Sequence, residues 1–234
     1  MAETSDPETG DAADATGDGG SNGRGDQLTR SQAARRERVI RAAIELAATG
    51  GYDAVQMRDV AAHGQVALGT IYRYFTSKDH LLAAAQVEWV TDLERRVGQR
   101  PPRSGTTAER MVDILRRATR AMEREPTLTA ALVTAMSSPD PAVAECQSEL
   151  GLIMGRIQAQ AFPEDFDPDV QRRVIRALEF IWFTSLLAWV NGWAGIGETG
   201  DELASATHLL LDQFESMRSR SQASLRARAI PGCA

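Results

Sequence analysis

A chain of 234 residues, 43% apolar and 25% charged, has enough hydrophobic material to bury a substantial core in one or two domains and has the composition of an ordinary soluble globular protein. The formal net charge of −6 resides in the first 26 residues, where seven acids (Glu3, Asp6, Glu8, Asp11, Asp14, Asp18 and Asp26) face one base, Arg24; the rest of the chain balances 25 acids against 25 bases. Cys146 and Cys233 are too few for a disulfide framework, and no Cys/His spacing matches a zinc site, so free thiols and no metal or cofactor are expected.

Residues 1–30 are rich in Gly, Asp, Thr and Ala, and after Met1 they lack a large hydrophobe before Leu28, which predicts a disordered acidic tail. Two roles stand open for it, solubility or competition with DNA for a basic face. No basic-then-apolar leader is present, so a cytoplasmic protein is expected. Val39, Ile40, Ala43, Ile44 and Ala47 then recur at helical spacing and predict a first helix ending in Gly50 and Gly51. Arg35, Arg36 and Arg38 lie near its start. From Arg30 to His80 eight Arg or Lys stand against five Asp or Glu, a local net of +3 that suits a surface facing phosphate.

The run from Met57 to Leu82 packs a short helix, a tight turn, a second short helix and a basic exit into one segment, the layout of a helix-turn-helix DNA reader. On the second helix each residue turns the chain by about 100°. Ile71 and Phe75 therefore share a packing face, with Gly69 and Arg73 nearly opposite. Gly69 lets the backbone approach a groove wall. Thr70, Tyr72, Arg73, Tyr74 and Lys78 supply hydroxyls and cations suited to phosphate oxygens and base edges. By composition alone, Tyr72 and Tyr74 read equally well as half-buried aromatics, and Arg73 and Lys78 as a solvated face.

The order of these residues resembles the TetR family of bacterial transcription regulators. Val60, Ala61 and Ala62, Val66, Gly69 to Tyr72, Tyr74, Phe75, Ser77, Lys78 and the pair Leu81 and Leu82 carry the resemblance. It implies that Arg58 on the first helix and Leu68, Gly69 and Tyr72 on the second face base edges. It further implies that Thr70, Arg73, Tyr74 and Lys78 hold phosphates, and that Arg35, Arg36 and Arg38 lie where relatives touch the DNA backbone, although each reads equally well as part of a solvated face. Two positions depart from the family's commonest pattern, Gln65 where the turn usually has Gly, and Ala67 where the next helix often opens on Ser or Thr. A missing hydroxyl cap costs about 1 kcal/mol. Leu68 is apolar where polar residues are frequent, which suits contact with a thymine methyl.

Beyond the reader a helix is expected from Lys78 to Gln99, ended by Pro101 and Pro102. Further helices are expected over 107–124, 126–137, 142–162, 169–191 and 201–218, with prolines at the breaks and no convincing strand. The segment from Ala177 to Val190 is too short to span a bilayer and contains Glu179, so it predicts a core helix and no membrane partner. Leu178, Ile181, Trp182, Leu186 and Trp189 form one stripe on it and Phe180, Phe183, Leu187 and Val190 another, apolar on nearly every side. Leu203, Leu210, Phe214 and Met217 line one face of the last helix, and the basic residues past it read as a frayed tail.

The expected architecture is all-α: tail 1–30, a three-helix helix-turn-helix DNA-binding domain over 31–80, a helical ligand-binding and dimerisation domain over 81–220, and a flexible tail 221–234. The resemblance implies a homodimer through the last two helices on double-stranded operator DNA, with half-sites a helical turn or a multiple apart. Gly51 to Lys78, Arg120 to Ala135 and Ile181 to Val190 together are similar to the steroid-catabolism repressor branch of the family. That similarity implies a hydrophobic effector, a steroid or acyl coenzyme A thioester, that releases the repressor and controls lipid or sterol catabolism. Met111, Leu115, Met122, Met136, Met154, Phe162, Trp182, Phe183, Trp189 and Trp193 can supply an adaptable lining, or can simply be core. Arg116, Arg117 or Arg120 can meet the coenzyme's phosphates, or can simply be solvated. Two other classes compete. A regulator with no small-molecule inducer, governed by a protein partner or its tail, fits the same reader. An enzyme fits poorly, because His63, His80 and His208 are scattered and no nucleophile motif or phosphate-cradling loop is present.

Overall fold

The computed structural model describes the backbone of residues 21–102, 105–195 and 197–228, and side chains from Arg30 to Phe214, except residues 103, 104 and 196, together with Ser216. Among the described residues the chain is entirely helical: α1 (Ser21–Ala54), α2 (Met57–His63), α3 (Leu68–Tyr74), α4 (Lys78–Gln99), α5 (Thr107–Glu123), α6 (Pro126–Met136), α7 (Pro141–Ala159), α8 (Pro168–Val190) and α9 (Glu198–Arg228). Local chemistry explains the boundaries. Gly51 breaks α1 with a φ of 71° that only glycine adopts freely. Thr106 and Glu109 form a reciprocal capping box on α5. Pro126, Pro141 and Pro168 open their helices, where the missing N–H is not needed.

The limits of α4 are those expected, and α5 to α8 shift by three residues or fewer. The outer helices differ more. α1 begins at Ser21, ten residues ahead of the expected reader domain, while residues 1–20 of the expected tail lie outside the described residues. α9 runs ten residues past Arg218, through most of the expected flexible tail, and residues 229–234 lie outside the description. No Gly or Pro interrupts residues 218–228, and extending an existing helix is easy where starting one is not.

One hydrophobic core joins both halves of the molecule. Val39, Ile40, Ala43 and Ala47 of α1 meet Val60, Ile71 and Phe75, all at most 1% exposed, so the reader's interior is dry. α4 carries Leu81 to Val87 buried without interruption, and packs against α1, α6 and α7 at once. α5 lies on α9, and α9 on α8. The turn between α2 and α3 holds Gln65 at φ 51°, a left-handed conformation that costs a non-glycine residue about 1–2 kcal/mol. No helix among the described residues is long and apolar enough to cross a membrane.

Candidate DNA-binding face and ligand cavity

The reader presents α3 outward along one side. Ile71 and Phe75 are buried, while Gly69, Tyr72 and Arg73 are exposed and Thr70 is half-buried. Arg58 is exposed on α2. Ala67 offers no side-chain cap, so the first free N–H groups of α3 remain available to an acceptor. Leu68 is half-buried against the core, which leaves only part of it for a base contact. Tyr74 is half-buried; its hydroxyl donates to the Gln32 carbonyl at 3.4 Å, and the Arg73 guanidinium lies 5.8 Å from its ring centre.

A Cβ built on Gly69 meets nothing within 4 Å. Gly69→Ala is therefore expected to leave the free protein as stable as before, or more stable by about 0.5–1 kcal/mol, because alanine is the better helix former. The same methyl on the outward side is expected to weaken operator binding by about tenfold through lost close approach. Parallel melting and DNA titration check this; unchanged operator affinity would remove Gly69 from the binding face.

Two of the expected cations are engaged within the protein. The Lys78 ammonium donates to the Tyr52 carbonyl at 3.3 Å and stands 3.7 Å from the Tyr52 ring centre. The Tyr52 hydroxyl donates to Asp79, and burial with that carboxylate pushes the phenol up to about 12. Lys78 thus pins the end of α1 to the start of α4. Arg36 is ion-paired with Glu88 of α4 at 2.5 Å and lies 5.5 Å from the Phe75 ring centre, a strut between α1 and α4, whereas Arg35 and Arg38 are exposed.

The junction between the halves converges on Asp140. Ser77 accepts from the His80 N–H at 3.1 Å as the cap of α4, and its hydroxyl donates to Asp140 at 2.8 Å. The other carboxylate oxygen accepts from the Ala142 N–H at 2.9 Å and caps α7. The Ser77 hydroxyl and the Ala142 N–H hold the Asp140 carboxyl below its ordinary value. One side chain thus fastens the start of α4 to the start of α7.

His80 accepts the Thr76 N–H at 3.2 Å and packs edge-on to Phe75 at 5.4 Å. Burial lowers its pKa, with Arg36 adding to the effect and Asp140 and Glu145 opposing it. A lowered value means the folded state binds fewer protons than the unfolded one. Its stabilisation is therefore full above the ordinary histidine value of about 6.5 and declines as pH falls toward the lowered one. Melting temperature is expected to drop between about pH 7.5 and about pH 5.5, and to drop less in His80→Gln. Equal acid sensitivity in both proteins would remove His80 as a contributor.

A cavity of about 340 Å³ lies among α4, α6, α7 and α8, with Met122 of α5 at its edge. Its wall is mainly apolar. Of the expected lining, Met122, Met136, Met154, Trp182 and Phe183 face it. The others do not. Met111 and Leu115 are buried in the core outside the cavity, Phe162 packs on Phe166 at 4.7 Å, Trp189 is half-buried elsewhere on α8, and Trp193 is 77% exposed. Sequence reasoning missed Gln86, Gln147, Leu150, Glu179 and Phe180, which also line the cavity. A glutamine inside the Ala-rich run of α4 and a glutamate inside the apolar run of α8 were the available signals.

Burial raises the Glu179 carboxyl above its ordinary value, against the pull of Arg176. Arg116, Arg117 and Arg120 border a different, polar groove shared with Glu109, Asp113 and His208, and no residue belongs to both sites. Arg116 pairs there with Asp201 at 3.5 Å and Arg117 with Asp113 at 2.5 Å, so two of these arginines already have acidic partners. Among the described residues no group of three or more His, Cys, Asp and Glu is placed to hold a metal.

Known proteins share this architecture. Residues 39–85 match the family described as bacterial regulatory proteins, tetR family, and residues 105–210 match the tetracyclin repressor-like C-terminal domain. The HTH-type transcriptional repressor KstR of Rhodococcus jostii (strain RHA1) is 37% identical over 189 residues, covering 81% of this chain and 88% of that protein. KstR of Mycolicibacterium smegmatis is 33% identical, covering 79% and 91%. A TetR transcriptional regulator from Rhodococcus sp. RHA1 superposes with a TM-score of 0.70 at 29% identity, over 77% of this chain and 97% of the other. Thermus thermophilus FadR, solved in complex with lauroyl-CoA, superposes with a TM-score of 0.60 over 75% and 92%; at 24% identity that likeness is one of fold.

Proposed function

The chain belongs to the TetR family of bacterial regulatory proteins, and on that premise we propose that it is a repressor that grips operator DNA as a homodimer and lets go when a bulky hydrophobic effector fills the cavity. The observation that carries this is the path of α4. Its Gln86 and Val90 stand in the cavity wall, and its first turn begins three residues after the buried Phe75 of the reader. Asp140 ties that first turn to α7, whose Leu150 and Met154 form another part of the same wall. A ligand that parts α4 from α7 tilts the reader.

Arg58, Gly69, Thr70, Tyr72 and Arg73 form the DNA face, with Leu68, Tyr74 and Lys78 assisting from its edge. Phe180, Trp193 and Leu209, 62%, 77% and 79% exposed on α8, the segment after it and α9, leave apolar area that a second copy of the same helices would cover. Two readers are then held at the spacing of the half-sites. Switching a site from nearly full to nearly empty needs a differential affinity of about 5.5 kcal/mol between the two conformations. Burying a large apolar ligand at about 25 cal/mol per Å² supplies energy of that order.

KstR relatives are named as repressors. A coenzyme A thioester of a steroid or long acyl chain is the effector class we favour, which places the regulated genes in lipid or sterol catabolism. A mobility-shift titration on the protein's own upstream DNA, with a panel of steroid and fatty-acyl coenzyme A esters and their free acids, tests it. Release by steroid esters alone supports the sterol reading and release by acyl esters the wider one. Binding undisturbed by any of them favours a regulator without a small-molecule inducer, governed by a protein partner or the acidic N-terminal segment.

A further inference from the structure

Three polar atoms in the cavity wall have no hydrogen-bond partner within the protein: Gln86 Oε1 on α4, and Glu179 Oε1 and Trp182 Nε1 on α8. Gln86 and Trp182 are each only 8% exposed, so water does not solvate them from outside. Buried polar groups are almost always paired, because each loses its water bonds on burial. Packing does not explain them either; leucine at 86 and phenylalanine at 182 would fill the same wall without that cost. All three residues line the same mainly apolar cavity, and two acceptors and one donor there match a ligand oxygen that gives and takes hydrogen bonds at once.

We propose that Gln86, Glu179 and Trp182 form a subsite for an uncharged oxygen function, first of all a hydroxyl, carried by the apolar body of the effector. The hydroxyl donates to Gln86 or Glu179 and accepts from the Trp182 indole N–H. A ketone takes the indole bond and leaves both acceptor atoms unpaired. A carboxylate would stand beside the Glu179 carboxyl, so the charged end of an acidic effector does not enter here. This inference rests on the reading that the cavity holds the effector, and it adds that a plain hydrocarbon is a poor ligand while an oxygenated one of equal size is a good one.

Matched cage compounds test it in the full-length protein by calorimetric titration: methyladamantane, adamantanol, adamantanone and adamantane carboxylate. Adamantanol is expected to bind about tenfold more tightly than methyladamantane, and the carboxylate more weakly than either. Trp182→Phe is expected to abolish the preference for the ketone and reduce that for the alcohol. Gln86→Leu is expected to reduce the preference for the alcohol and leave that for the ketone intact. Both variants should keep or improve binding of methyladamantane, and Gln86→Leu keeps the test decisive if Trp182→Phe fails to fold. Equal binding of methyladamantane and adamantanol, or a preference that survives both substitutions, overturns the subsite while leaving the cavity's role standing. No binding of any cage compound overturns the ligand cavity itself, and the subsite with it.

Discussion

Tyr72→Ala is expected to weaken operator binding by about a hundredfold or more without unfolding the protein. A good contact to a base edge contributes about 1–3 kcal/mol, and in a two-fold assembly the loss enters twice. Tyr72 is 53% exposed and lies outside the core, so melting should move by no more than the equivalent of about 0.5 kcal/mol. Arg73→Ala serves as its complement. At a phosphate, Arg73 carries charge and no sequence information, so its loss should weaken all DNA alike and reduce the slope of log affinity against log salt by about two, one unit per subunit. Tyr72→Ala should leave that slope alone and relax the preference for the operator over random DNA. Normal operator affinity in both variants would move the recognition face off α3.

The reader was legible because its information is local. Spacing within α3 alone separates the buried Ile71 and Phe75 from the exposed Gly69, Tyr72 and Arg73, and no distant residue has to be known. The helices of the second half were legible for the same reason, since prolines such as Pro126 and Pro168 act where they stand. The cavity was not. Met111, Leu115 and Met122 fall on one stripe of α5, yet only Met122, near the helix's end, reaches it. Periodicity gives the face of a helix but not the height at which its neighbours part. The partners of two cations were hidden in a related way. Lys78 and Arg36 contact Tyr52 and Glu88, 26 and 52 residues away, partners that local spacing does not reveal. Gln86 and Glu179 show the converse, polar residues inside apolar runs whose meaning emerges only when α4 and α8 face one space.

Phe75→Ala is expected to be the most damaging single change in the reader, and damaging for the opposite reason to Tyr72→Ala. The ring is 1% exposed, edge-on to His80 at 5.4 Å, tilted against Tyr74 at 6.3 Å, and beneath the Arg36 guanidinium at 5.5 Å. Truncating a buried phenylalanine costs about 3–5 kcal/mol, a large part of the roughly 5–15 kcal/mol that stabilises a domain. Stability and DNA binding should therefore fall together, read as a lowered denaturation midpoint; a loss below about 1 kcal/mol would show that the ring is not a structural pin. Phe75→Leu keeps the site apolar and should cost about 1 kcal/mol, leaving a folded reader less firmly seated on α4. Since the cavity is joined to the reader through α4, a looser seat weakens the lever as well as the fold. In that variant a ligand should bind with nearly its normal affinity yet release DNA less completely, because energy put into α4 no longer reaches α3 undiminished.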